Sequence, residues 1–317
     1  PRSMNSPTIP DSNEQPTASW LPMAVVAMGQ TLTTLNISAL PVLIGAMVDE
    51  FGIAPTMVAS TIVVYSIAVS GFIMLGAKLG QKYGSTTVFR WATVLLLLAA
   101  AMATYSPSFG LLLVAQGLAG LGAAMLLPSL VVLITDNYSG SQQAKAVGLL
   151  GGVQAAATVA TILIAGMIGT HLGWRYSFGL IIPVAILTWL ISYKLESSEK
   201  RPELKIDRVG ALLAAISIIC ISLGFNFFSE WGLIRAVASA PSGPLGMSPA
   251  LLMIIAGVVG IQSLIIWLQR RKAVKQTPLL ALEVLESRSE RTAVVALMVI
   301  VAIGSALNFM IPLYIQI

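Results

Sequence analysis

The side chains that could carry acid–base, nucleophilic or metal chemistry are few: 13 carboxylates, one histidine and one cysteine among 317 residues. Their spacing does not suit that chemistry. The carboxylates (Asp11, Glu14, Asp49, Glu50, Asp136, Glu196, Glu199, Glu203, Asp207, Glu230, Glu283, Glu286 and Glu290) fall in a polar tail, in connections, or at the ends of long apolar runs. His171 stands near the end of one such run, where it reads either as a protonatable group or as a plain interfacial residue. Cys220, alone, excludes an intrachain disulfide. No metal-ligand cluster or Ser-His-Asp set can be assembled. The series Gly148, Gly151, Gly152 and Gly166 lacks the preceding strand and the Lys-Ser/Thr pair of a phosphate loop, so it reads as a surface for close helix packing. The expectation is no cofactor, no metal and no enzymatic activity.

The interiors of the apolar runs hold neutral polar groups instead: Gln30, Thr31, Thr33, Thr34, Asn36, Ser38, Tyr65, Gln116, Gln154, Asn226 and Asn308. An unpaired polar group in hydrocarbon costs several kcal/mol. These groups are therefore expected to face one another or a cavity rather than lipid. That chemistry suits recognition of a solute by hydrogen bonds, or ordinary bonding between helices.

The composition explains why the apolar runs dominate. With 56% hydrophobic residues, 10% charged residues and a mean hydropathy of +0.88, the chain is far from the roughly 25% charged content of soluble domains. It reads as an all-α integral membrane protein. A spanning helix takes about 20 apolar residues, and such runs lie near 20–47, 57–79, 88–106, 110–135, 145–170, 176–194, 208–229, 248–268 and 292–317. The fourth, with Leu111–Thr135 at its heart, has no charge. Its Gly117, Gly120 and Gly122, with Ala119, Ala123 and Ala124, clear side chains from one surface so that a neighbouring helix can approach, and Gln116 is its one conspicuous polar handle.

With the N-terminus placed in the cytoplasm, every Lys and Arg except Arg175 and Arg235 falls on the inner side, a strong positive-inside bias. Trp20, Trp91, Trp174, Trp231 and Trp267 lie near run ends, as an interfacial belt would place them, and Trp189 does not. The net charge of +5 therefore orients helices and carries no nucleic-acid signal. The expected partners are the bilayer of the inner (plasma) membrane and a small-molecule solute. Residues 1–19, polar and Pro-rich, read as a mobile tail. Residues 20–195 form a six-helix bundle, 196–207 a solvated charged inner loop, and 208–268 two further helices. Residues 269–291 form an inner-surface segment with a short amphipathic helix near Leu279–Leu285, and 292–317 a ninth helix. Glu230–Met247 reads as an outer loop.

Six helices, a charged loop, two helices and a ninth resemble the major facilitator superfamily, specifically its fourteen-helix drug:proton antiporter branch. Ala77-Lys78-Leu79-Gly80-Gln81-Lys82-Tyr83-Gly84 sits where the family has a Gly-x-Leu-x-Asp-Arg-x-Gly loop, with Gln81 at the acidic position and Lys82 at the Arg position. Gly120, Gly122, Ala123 and Ala124 match an Arg-x-x-x-Gly-x-Gly-Ala-Ala helix whose Arg falls on Gln116. Thr34, Ala39, Leu40 and Pro41 fit the first-helix signature, but Leu32 replaces its Asp and Ile37 its Asn, with Asn36 one place off. The fifth-helix Gly-Pro is replaced by Thr161-Ile162, and Ala165-Gly166 stands where a Gly-Gly pair would follow, while Trp174-Arg175 still matches.

The resemblance implies a transporter that moves a small amphipathic organic solute by alternating access. Gln30, Asn36, Gln116 and Asn308 are then candidate cavity residues, and Lys78, Gln81, Lys82 and Gly84 form a conformational loop. An amide at Gln81 would latch more weakly than a carboxylate, and Gln116 removes the cation tied to proton coupling, so coupling through the first six helices is not expected. Against the family plan, 292–317 corresponds to the first helix of a second bundle, so the chain is expected to pair with a second polypeptide or to be a portion of a longer one. A transport-inactive membrane partner or scaffold, and an uncoupled facilitator, stay open as alternatives.

Overall fold

Backbone in hydrocarbon must satisfy its own hydrogen bonds, and long apolar runs meet that demand by coiling. The structure, a computed structural model, describes residues 19–204, 206–232, 234–236, 246–273, 290–296, 298–299 and 302–304. Its helices are α1 (Leu21–Phe51), α2 (Pro55–Tyr83), α3 (Ser85–Thr104), α4 (Phe109–Asn137), α5 (Gly140–His171), α6 (Trp174–Gly179), α7 (Ile181–Ser192), α8 (Arg208–Trp231) and α9 (Pro249–Ala273). Taken together, α6 and α7 make one span, so eight apolar spans occur among the described residues. The ninth expected span is helical over its described parts, 290–296, 298–299 and 302–304. Asn308 and the expected helix near Leu279–Leu285 lie outside the described residues.

The sixth span is divided at Leu180, and Pro183 accounts for the division. Its ring has no N–H for the carbonyl of Gly179 and crowds that carbonyl, so the ladder is interrupted there. Leu180 keeps right-handed helical angles and donates to Tyr176 O at 3.0 Å.

Helices α1, α3 and α4 form the interior. Leu32, Leu40, Leu43, Phe89, Leu112, Leu126 and Leu130 are fully or almost fully buried there. Packing is most extensive between α2 and α4, α8 and α9, α3 and α4, and α1 and α5. The glycines of α4 serve two neighbours, where the sequence suggested one surface. A Cβ on Gly120 would lie 2.5 Å from Tyr65 O and 2.6 Å from Ala68 Cβ of α2, whereas one on Gly122 would lie 3.0 Å from Leu96 Cγ of α3. From α2, a Cβ on Gly76 would collide with the Ala124 carbonyl. The α2–α4 contact therefore depends on backbone approach from both sides.

The expectation for α5 is corrected. Gly148, Gly151 and Gly152 are exposed with nothing within 4 Å of a Cβ among the described residues, and only Gly166 of that series meets a neighbour, Val42, at 3.6 Å. The helix buries just Ala146, Thr161 and Ala165, and its packing on α1 runs past Gly169, where a Cβ would lie 2.6 Å from Leu43 Cδ2, rather than along the Gly148–Gly152 series.

Polar staples join the helix ends on both faces. On one, Tyr138 accepts from the Met23 amide, a donor with no partner inside the first turn of α1, and donates to Ser19 O at 2.9 Å. Burial pushes the Tyr138 hydroxyl pKa up. On the other, Glu50 at the end of α1 accepts from Trp174 Nε1 at 2.6 Å and from Arg175, whose second nitrogen donates to Ser106 O at 2.7 Å. Trp174 is thus buried beneath Phe51 and Phe178 rather than set in an interfacial belt, whereas Trp20 and Trp91 are exposed as expected.

Candidate functional site

Three of the four candidate cavity residues lie in the interior of the bundle. Gln30 and Asn36 lie on α1 and Gln116 on α4, and they are 6%, 3% and 0% exposed. Gln30 is held within its own helix: its Nε2 donates to Thr34 Oγ1 at 3.4 Å, while the Thr33 and Thr34 hydroxyls each donate to its backbone carbonyl at 2.9 Å. Asn36 reaches across, donating from Nδ2 to Gln116 Oε1 at 2.9 Å. The structure therefore brings Asn36 and Gln116 together, keeps Gln30 on the same helix as Asn36, and leaves Asn308 outside the described residues.

The arrangement is neutral throughout. Gln116 Nε2 is buried and has no hydrogen-bond partner among the described residues. A buried amide donor left unsatisfied costs about 1–3 kcal/mol, so this site holds unspent donor capacity. Every described Asp, Glu, Lys, Arg and His lies within two turns of a helix end or in a connection. Tyr65, on α2, is buried beside the Gly120 backbone. Gln154 and Asn226 are exposed on α5 and α8.

Of the four expected loop residues, Lys78, Gln81 and Lys82 lie in the last two turns of α2, and Gly84 alone joins α2 to α3. Lys78 Nζ donates to Gln81 Oε1 at 3.2 Å, and Lys82 sits 5.5 Å from the centre of the Tyr83 ring. Gly84 has φ +88°, and a Cβ there would lie 3.1 Å from Ser198 O, so both conformation and clearance call for glycine. That carbonyl belongs to the 196–204 connection, which is docked on the loop rather than purely solvated. Thr86 Oγ1 donates to Glu196 O at 2.9 Å, Thr86 N donates to Ser198 Oγ at 3.3 Å, and Arg201 N donates to Gln81 O at 3.3 Å. Arg90 adds a bond to Ser192 O at 2.9 Å and stacks 4.4 Å from the Tyr193 ring. Sequence reasoning missed this strap, because Thr86 and Ser198 carry no motif and their partners are mostly backbone.

Comparison with known proteins fits this geometry. The model of the Major Facilitator Superfamily matches residues 26–317. The chain belongs to that superfamily, and it is a multi-pass membrane protein. It is 24% identical over 306 residues to the "Probable transport protein HsrA" of Haemophilus influenzae, covering 96% of this chain and 62% of that one. It is 25% identical over 217 residues to "Puromycin resistance protein pur8" of Streptomyces alboniger, covering 67% and 43% respectively. The chain spans about half the length of the curated relatives it matches. A solved peptide transporter in complex with alafosfalin shares the fold, with a TM-score of 0.55 at 12% identity over 85% of this chain and 71% of that one.

Proposed function

We propose that this transporter of the major facilitator type moves a small amphipathic organic solute by alternating access, in the manner of a drug exporter, through a path that carries no proton on α1–α7. The observation that supports this reading best is the Asn36–Gln116 pair with its spare Gln116 Nε2 donor: a neutral, buried, incompletely satisfied polar site in the interior of the bundle. Such a site recognises a solute through shape and a few hydrogen bonds. Proton coupling needs an ionisable group in the path, and the described spans offer none at depth. The puromycin resistance relative supports an amphipathic solute class. We assign the opposite wall of the path, with Asn308, to a second bundle carried either on further chain or on a second polypeptide. The inner membrane, with the N-terminus cytoplasmic, is the placement that the positive-inside bias favours.

Right-side-out vesicles in which this chain is completed by its second bundle, preloaded with ethidium and diluted, test the proposal. Release should exceed that of empty vesicles, should not change when the pH gradient is collapsed, and should slow in an Asn36→Leu, Gln116→Leu double variant. Release equal to empty vesicles overturns transport in favour of the scaffold reading. Release that vanishes with the pH gradient overturns the absence of coupling.

A further inference from the structure

A second polar site lies away from the amide pair, where α8 begins and α9 ends. Asp207 caps α8 by accepting from Gly210 N at 2.9 Å. It also accepts from Trp267 Nε1 at 3.1 Å and pairs with Arg271 Nη1 at 2.7 Å. Its side chain is 1% exposed and that of Arg271 18% exposed, so this pair forms the floor of a cleft of about 500 Å³. Arg208 and Arg270 stand on the rim, exposed and without an acidic partner among the described residues. With Asp207 balanced by Arg271, the cleft keeps two positive charges. Below it, Val209, Leu212 and Ile216 form an exposed apolar stripe along α8, at the spacing of one helical face.

We infer that this cleft binds the phosphate headgroup of an anionic phospholipid, with Arg208 and Arg270 on the phosphate and the acyl chains along the Val209–Leu212–Ile216 stripe. The end of a helix hairpin is headgroup depth, where arginine side chains meet acidic lipids. Arginine is suited to the task because its planar fork presents several donors to phosphate oxygens. The apolar stripe directly beneath the charged rim selects a lipid over a soluble phosphate, since only the lipid fills both. Trp267 supplies an amphipathic side wall of the kind found at membrane interfaces.

The test uses the full chain, delipidated in nonionic detergent and titrated with dioleoylphosphatidylglycerol, dioleoylphosphatidylcholine or inorganic phosphate, with bound molecules counted by native mass spectrometry. Phosphatidylglycerol should bind in preference to phosphatidylcholine, and millimolar inorganic phosphate should not displace it. An Arg208→Gln, Arg270→Gln double variant should weaken the phosphatidylglycerol complex roughly 25-fold, at about fivefold for each arginine near an anionic surface. Lys145→Gln, an exposed basic position on α5, should leave it unchanged. Should the double variant fail to fold, wild-type protein still decides the matter, because the preference must fall as salt rises from about 50 to about 500 mM. Equal binding of the two lipids, a preference that survives the double substitution or high salt, or full displacement by inorganic phosphate overturns the inference.

Discussion

Asn36 on α1 donates to the side-chain carbonyl of Gln116 on α4, 80 residues away in sequence, and this bond joins two of the most buried spans. Two neutral amides thus meet in the interior of the bundle, with Gln116 at the position where the pattern that the sequence resembles has an arginine. The bond's strength is bounded by the medium. In lipid the unfolded reference also finds partners, so side-chain bonds between helices average about 0.6 kcal/mol and reach about 1.7. Asn36→Leu alone strands both polar atoms of Gln116 and should cost more than the pair is worth. Asn36→Leu with Gln116→Leu removes both polar groups and should recover most of that loss. Thermal unfolding of the four proteins in detergent checks this. A coupling energy indistinguishable from zero would mean that the two amides do not meet.

The α2–α4 contact makes a contrast between glycines. Gly120→Ala places a methyl against Tyr65 O and Ala68, neither of which can swing aside, and should destabilise by about 1–3 kcal/mol. Gly117→Ala meets only Val64 Cγ1 at 3.5 Å, an ordinary contact, and should be tolerated. Gly148→Ala enters open space among the described residues and should be neutral or stabilising, because alanine has the better helix propensity. Melting temperatures in one detergent rank the three, and a Gly120→Ala protein as stable as Gly148→Ala would contradict the packing.

These elements show what could be read in advance. The eight spans seen among the described residues followed from apolar length alone, because a bilayer admits few alternatives. The C-terminal ends of α1 and α9 moved outward by a few residues, where helix continues past the hydrocarbon limit. Gln116 was legible as the sole polar group in its half of an apolar run, and Asn36 as its partner only in kind. Burial was less legible. Gln154 and Asn226 have the same composition signal as Gln116 yet are exposed, because which face of a helix turns inward depends on tertiary packing. Trp174 sits at a run end like Trp20 but is buried, since Phe51 and Phe178 pack on its ring while the exposed Glu50 carboxylate accepts from its indole N–H. The strap over Gly84 was illegible because two of its bonds end on backbone carbonyls and the others join Thr86 to Ser198, 112 residues away, in no recognisable pattern.

The strap itself yields the last prediction. The Thr86 and Ser198 hydroxyls lie 2.9 Å apart, although α4–α7 separate them in sequence, so cysteines at both positions would have adjacent sulfurs. In a Cys220→Ala background, which removes the sole native thiol, Thr86→Cys with Ser198→Cys should form a disulfide in native membranes under mild oxidation. Moving one partner to Glu203→Cys, exposed and further along the connection, should lower the yield sharply. Adding Gly84→Ala should also lower it, because alanine at φ +88° is strained by about 1–3 kcal/mol and its methyl presses on Ser198 O. If both thiols react with maleimide but never with each other, the 196–204 connection does not dock on the α2–α3 loop. The expected cross-link would instead place Gln81 beneath a strap from its own bundle, and a backbone amide from Arg201 would bind the loop at the position where the family carries its acidic residue.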